Sequence, residues 1–157
     1  MHPNAQLIHS FYVAFQARDG AAMAACYAPD VRFSDPVFPA LEGEAAGAMW
    51  TMLCLRGKDL VIEFRDIQAD DREGSAHWEA HYSFGPSKRK VHNIIEARFE
   101  FRDGKIVRHT DSFDFHRWAT QALGPLGWMF GWTGFLQGSV QKQGAAGLEK
   151  FRATGRV

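Results

Sequence analysis

Three ionisable side chains and one amide fall where a folded chain would normally place apolar groups. If residues 108–115, RHTDSFDF, form a strand, side chains alternate between two faces, and Val107, His109, Asp111, Phe113 and Phe115 share one of them. That face is apolar apart from an imidazole and a carboxyl. VRFSDP repeats the pattern, with Val31, Phe33 and Asp35 on one side and Pro36 closing the strand. KVHNIIEARFEF puts Asn93 among Val91, Ile95, Ala97, Phe99 and Phe101. A lone buried carboxylate costs several kcal/mol, so such groups persist only when paired, neutralised or facing a water-filled hollow. Four of them converging on inward faces point to a small-molecule pocket.

The chemistry available there is proton transfer. Asp35 would be a general base whose pKa an apolar pocket raises, and Asp111 an acid/base group tuned by His109. Residues two apart on a strand are about 6.6 Å apart at the backbone, so His109 and Asp111 are expected to meet through a water or ligand. Asn93 could orient a ligand carbonyl. Phe11, Trp50, Trp78, Phe99 and Phe113 are the candidate lining. The plainer alternatives are that Asp35 caps the turn before Pro36, that His109 and Asp111 are a satisfied core pair, and that the aromatics are core.

Elements must hold these groups in place. Ile8, Phe11, Tyr12 and Phe15 recur at helical steps until Asp19-Gly20. AAMAACYA reads as a second helix ended by Pro29, and EAAGAMWTMLCLRG as a third ended by Gly57. DLVIEFRDIQA, AHWEAHYSF, KVHNIIEARFEF and KIVRHTDSFDF then alternate in turn, separated by DDREG, GPSK and RDGK. They predict a four-strand antiparallel meander. Helical spacing returns in the aromatic segment 116–157. The expected class is α+β, a single domain over 1–157 with residues 116–157 as its C-terminal helical extension.

Eighteen Lys+Arg balance eighteen Asp+Glu, which offers no general attraction to nucleic acid or an anionic membrane. Cys26 and Cys54 lack CxxC spacing and read as free thiols of a reducing compartment. MHPNAQLIHS has no basic n-region leading into an apolar run, so a signal peptide is not expected. The longest apolar segment, LGWMFGWTGFL, has 11 residues, too few for a bilayer span. A cytoplasmic protein is the expectation.

FYVAFQARDGAAMAACYAPDVRFSDP, followed by long strands ending in RFEFRDGKIVRHTDSFDF, resembles the NTF2-like superfamily, in particular its ketosteroid-isomerase and SnoaL-like polyketide-cyclase branches. The likeness covers about residues 5–118 and implies a cone of strongly curved, mainly antiparallel sheet wrapped around N-terminal helices. It also implies a homodimer through the convex sheet face and a small lipophilic ligand, with no cofactor. Asp35 stands where ketosteroid isomerases hold their proton-shuttling aspartate. The oxyanion tyrosine falls on Phe11, with Tyr12 about 100° round the helix, and the oxyanion aspartate falls near Ala97. Losing one such donor typically costs ~100-fold or more in rate, which disfavours steroid isomerisation. Asp111 falls where the SnoaL-like and limonene-epoxide-hydrolase branches place an acid/base group.

Two features stand outside this scheme. In HWEAH, His77, Glu79 and His81 share a strand face opposite the apolar one; with no further ligand in view, the stretch is assigned to a polar convex face or dimer contact, and no metal is expected. Trp128, Met129, Phe130, Trp132, Phe135 and Leu136 are assigned to capping the cone or packing on a partner subunit, because few basic residues accompany them. Three functions fit, in this order: an isomerase-, cyclase- or hydrolase-type enzyme using acid/base chemistry, a non-catalytic binder of hydrophobic ligands, or a scaffold domain for protein assembly.

Overall fold

The computed structural model describes residues 1–157. Helix α1 (Pro3–Gln16) starts with proline in its first turn, and His2 Nδ1 accepts a hydrogen bond from the Asn4 amide. Its buried stripe carries Ile8, Phe11, Tyr12 and Phe15. Helix α2 (Gly20–Ala25) is capped by the Asp19 carboxylate. The expected continuation to Pro29 does not occur: β1 (Tyr27–Ser34) begins two residues after α2 ends. Pro29 disfavours helical geometry at Ala28, and an aromatic at 27 suits a strand.

A short β2 (Leu41–Glu42) leads into α3 (Glu44–Arg56), which stops at Gly57 as the spacing predicts. Then β3 (Val61–Ala69), β4 (Glu73–Ser83), β5 (Lys90–Arg102) and β6 (Lys105–Ser112) form the antiparallel meander. Asp103 and Gly104 take φ of 51° and 75°, the two positive values of the tight hairpin turn that RDGK predicts. The sheet order is β2-β1-β6-β5-β4-β3, with β1 parallel to β6.

Register breaks between Arg65 and Gln68, between Glu100 and Phe101, and between Tyr27 and Arg32 bend the sheet. The second break corrects the alternation at the start of β6. Phe101 pairs with Ile106, which is fully buried, and Val107 is left half-buried. From His109 onward the alternation holds.

The curved sheet packs its inner face on α1 and α3, and one continuous core runs from Ile8 and Phe11 through Trp50 to Trp78, Phe99 and Ile106. Helix α4 (Phe115–Leu123) builds a second, smaller core from Phe115, Trp118, Ala119 and Ala122 against Val91. Helix α5 (Pro125–Phe130) folds straight back on α4; a Cβ at Gly127 would lie 1.8 Å from the Ala119 carbonyl oxygen. Helix α6 (Gly134–Thr154) then lies over the 35–38 loop. Gln137 and Gln141 each donate from Nε2 to the Pro36 carbonyl at 3.1 Å, and Leu148 and Phe151 join the main core. The tail therefore covers one end of the cone. The stretch from α5 into the first turn of α6 nevertheless leaves Trp128, Met129, Phe130, Trp132 and Phe135 exposed. No helix is long and apolar enough to cross a membrane.

Candidate functional site

The site begins with the parallel pairing of β1 and β6. Phe33 is opposite His109 and Ser34 opposite Thr110, so Asp35, the first residue past β1, and Asp111 lie at the same end of neighbouring strands. On its other side Asp111 is directly opposite Ala97 of β5. A carboxyl is thus presented from β6 at the rung where the resemblance places one on β5.

His109 is 0% and Asp111 3% exposed, and they bond to each other directly, Nε2 to Oδ1 at 2.9 Å. The expected intervening water or ligand is not needed, because side chains two apart on a bent strand can lean together. The bonds form a chain. Trp50 Nε1–H donates to Tyr27 Oη at 2.7 Å, and Tyr27 Oη lies 2.8 Å from His109 Nδ1. The phenol already accepts from Trp50 and its proton has no other acceptor, so it donates to Nδ1. The His109 proton then sits on Nε2 and points at Asp111. Trp78 Nε1–H adds a weaker bond to the same Oδ1 at 3.3 Å.

Two buried polar atoms remain without a partner: Asp111 Oδ2 and Tyr12 Oη. Burial, and after it the charge of Asp111, pushes the Tyr12 phenol well above its ordinary value, which keeps it a hydrogen-bond donor. Tyr27 is likewise raised by burial and stays protonated. Tyr12, one step from the expected oxyanion position, is thus turned into the core with its hydroxyl unspent.

Asp35 caps the turn and is also electrostatically perturbed. Its Oδ1 accepts from the amides of Val37 at 2.7 Å and Phe38 at 2.6 Å. Burial nevertheless raises its carboxyl to about 7; Asp111 adds to the rise, and the two amide bonds oppose it. Desolvation is the largest of these influences. Tyr82, whose phenol feels Asp35, and the half-buried Val37 and Phe113 touch both cores and mark the seam between them.

The lining candidates divide. Phe11, Trp50, Trp78 and Phe99 are buried ring against ring, and Phe11, Trp50 and Phe99 also enclose His109, with Phe99 at 4.4 Å between centroids. Asn93 and Phe113 are half-buried, and Phe113 packs against the smaller core built by α4. Tyr27 is the participant that the sequence reading missed. It shares parity with Val31, Phe33 and Asp35, but the alanine-rich run before it reads as helix.

A curved six-strand sheet closed by helices, with two carboxyls converging on its inner face, defines a protein of NTF2-like architecture. Residues 8–109 match the SnoaL-like domain model, and the chain belongs to that family. Among solved structures it is similar to a proposed polyketide cyclase from Xanthomonas campestris, at 26% identity and TM-score 0.64, covering 76% of this chain and 96% of that one. A proposed SnoaL-like polyketide cyclase from Jannaschia superposes with TM-score 0.68 at 15% identity, over 78% of this chain and 93% of that one. An LEH-like epoxide hydrolase from M. tuberculosis gives TM-score 0.63 at 20% identity, over 79% and 92%. At those two identities the likeness is one of fold. No curated protein matches the sequence.

Proposed function

We propose that this SnoaL-like protein is an enzyme of isomerase, cyclase or hydrolase type, acting by acid/base chemistry on a small lipophilic carbonyl compound or epoxide at the inner end of β1 and β6. The observation that carries this reading is that Asp35, just past the end of β1, and Asp111 on β6 sit at the same end of two paired strands and feel each other's charge, with burial raising the Asp35 carboxyl to about 7. A carboxyl near the working pH is present in both protonation states and can both take and return a proton. His109, held by Tyr27, fixes Asp111 so that Oδ2 is left for substrate or water. The Tyr12 hydroxyl is the unspent donor for a developing oxyanion. Phe11 and Ala97 at the usual donor positions argue against steroid isomerisation.

The test is direct. Carboxyl ¹³C shifts should follow Asp35 titrating near 7, and wild-type protein in D₂O should exchange the α-hydrogens of an enolisable lipophilic ketone faster than Asp35→Asn does. Titration of Asp35 near 4 would remove the base.

The buried ring-on-ring packing of Phe11, Trp50, Trp78 and Phe99 favours one rival, a non-catalytic binder of hydrophobic ligands. Saturable ligand binding unaffected by Asp35→Asn, with no turnover at any pH, would select it. The remaining expectations belong to this proposal: a homodimer through the convex sheet face, and a reducing, cytoplasmic setting that suits the free, buried thiols of Cys26 and Cys54.

A further inference from the structure

The outer face of the sheet carries a second cluster, remote in chemistry from the inner carboxyls. Glu79 and His81 project from the same face of β4, and His92 on β5 is directly opposite His81. One ligand atom from each of Glu79, His81 and His92 lies within 4.8 Å of the others. The HWEAH stretch alone lacked a neighbouring ligand; the β4–β5 register supplies it.

We propose that Glu79, His81 and His92 bind a divalent first-row transition ion of the Zn²⁺ class. Two imidazoles and a carboxylate are a donor set such ions prefer. Around a tetrahedral Zn²⁺ with bonds of about 2.0–2.2 Å, ligand atoms sit roughly 3.3 Å apart, so modest side-chain rotations complete the site. His81 and His92 are free to make them, at 44% and 38% side-chain exposure. At present their rings stack at 4.1 Å, and His92 Nε2 is 2.6 Å from Glu79 Oε1. The ion takes the place of the proton shared in that contact.

The surroundings are built for the role. Glu79 Oε2 is engaged by His77 Nε2 at 2.7 Å and Arg65 Nη1 at 3.1 Å, which leaves Oε1 for the ion. His77 is itself held at Nδ1 by Glu96. Such outer partners orient the ligating groups. Glu63 of β3, paired with Glu79, has Oε2 3.8 Å from His81 Nε2 and offers a fourth oxygen. His81 and His92 also line a groove of about 350 Å³ with Asp59, Lys90 and Gln121, so an open coordination position would face a cleft able to take a water or a small anion.

The chelator-treated 157-residue protein titrated with Zn²⁺ against a chromophoric competitor should bind one ion per chain. His92→Ala should weaken binding by ~100-fold or more and His77→Gln by about 10-fold, while Glu100→Gln leaves it unchanged. Co²⁺ substitution should give the intense visible bands of a four- or five-coordinate site. All side chains changed lie on the outer face, and far-ultraviolet circular dichroism verifies their folds. Wild-type affinity no tighter than that of the His81→Ala/His92→Ala double variant, which keeps five other histidines, overturns the proposal. Equal losses in His77→Gln and His92→Ala overturn the ligand assignment. Because the inner carboxyls are untouched, the result is independent of the proposed acid/base chemistry.

Discussion

At the scale of single residues, the tension lies in Asp35. Its carboxyl is raised to about 7 in the fold, whereas an unfolded aspartate titrates near 3.9. Below about pH 4 both states are protonated and the group contributes nothing. As pH climbs from about 4 to 7 the unfolded chain ionises first, so stability falls, and above 7 the loss is complete, as much as about 4 kcal/mol. Asp35→Asn keeps an oxygen for the Val37 and Phe38 amides, so the variant should be more stable than wild type at pH 8 and equal to it at pH 4. Urea midpoints across that range check this; a pH-independent difference refutes it. Tyr27→Phe should cost about 2–4 kcal/mol at any pH, because Trp50 Nε1–H loses its acceptor and His109 Nδ1 its donor in the core. The inward placement of His109 and Asp111 was legible because a strand's two-residue period separates inside from outside, whereas β1 ends at Ser34 and leaves Asp35 in the turn. Tyr27 was not, since Ala21–Cys26 offers only helical signals, and the direct His109–Asp111 bond was not, since backbone spacing does not fix where side-chain tips meet.

At the scale of elements, the meander was legible almost to its turns, because alternation and Asp-Gly chemistry are local properties. The parallel docking of β1 on β6 was not; it joins distant segments and leaves no local trace beyond the apolar face itself. The register that brings His92 to His81 is likewise a property of two strands. Helix α6 supplies a prediction here. With Gln137→Ala/Gln141→Ala the Pro36 carbonyl loses two donors, and amide exchange of Val37 and Phe38 should quicken severalfold while that of β5 is unchanged. Gly127→Ala should separate α5 from α4, since the added methyl would overlap the Ala119 carbonyl. A loss of roughly 2–3 kcal/mol is expected from such overpacking, read as a lower thermal midpoint.

At the scale of the whole molecule, balanced charge and an exposed aromatic turn act together. With zero formal charge at neutral pH and a pI near 7.1, nothing repels one copy from another while Trp132 and Phe135 are 76% and 88% exposed. Solubility should therefore pass through a minimum near pH 7 and rise on either side, as light scattering across pH would record. The pairing of the first strand with the last has a temporal counterpart. Tyr27 and His109 are separated by 82 residues, so their bond waits on closing a large loop, after the meander has zipped through near neighbours. The phenol–imidazole link should be a late arrival during refolding. Tyr27→Phe would then hasten escape from the native basin and leave the forward rate almost untouched, making that hidden tyrosine a clock for the moment the cone shuts.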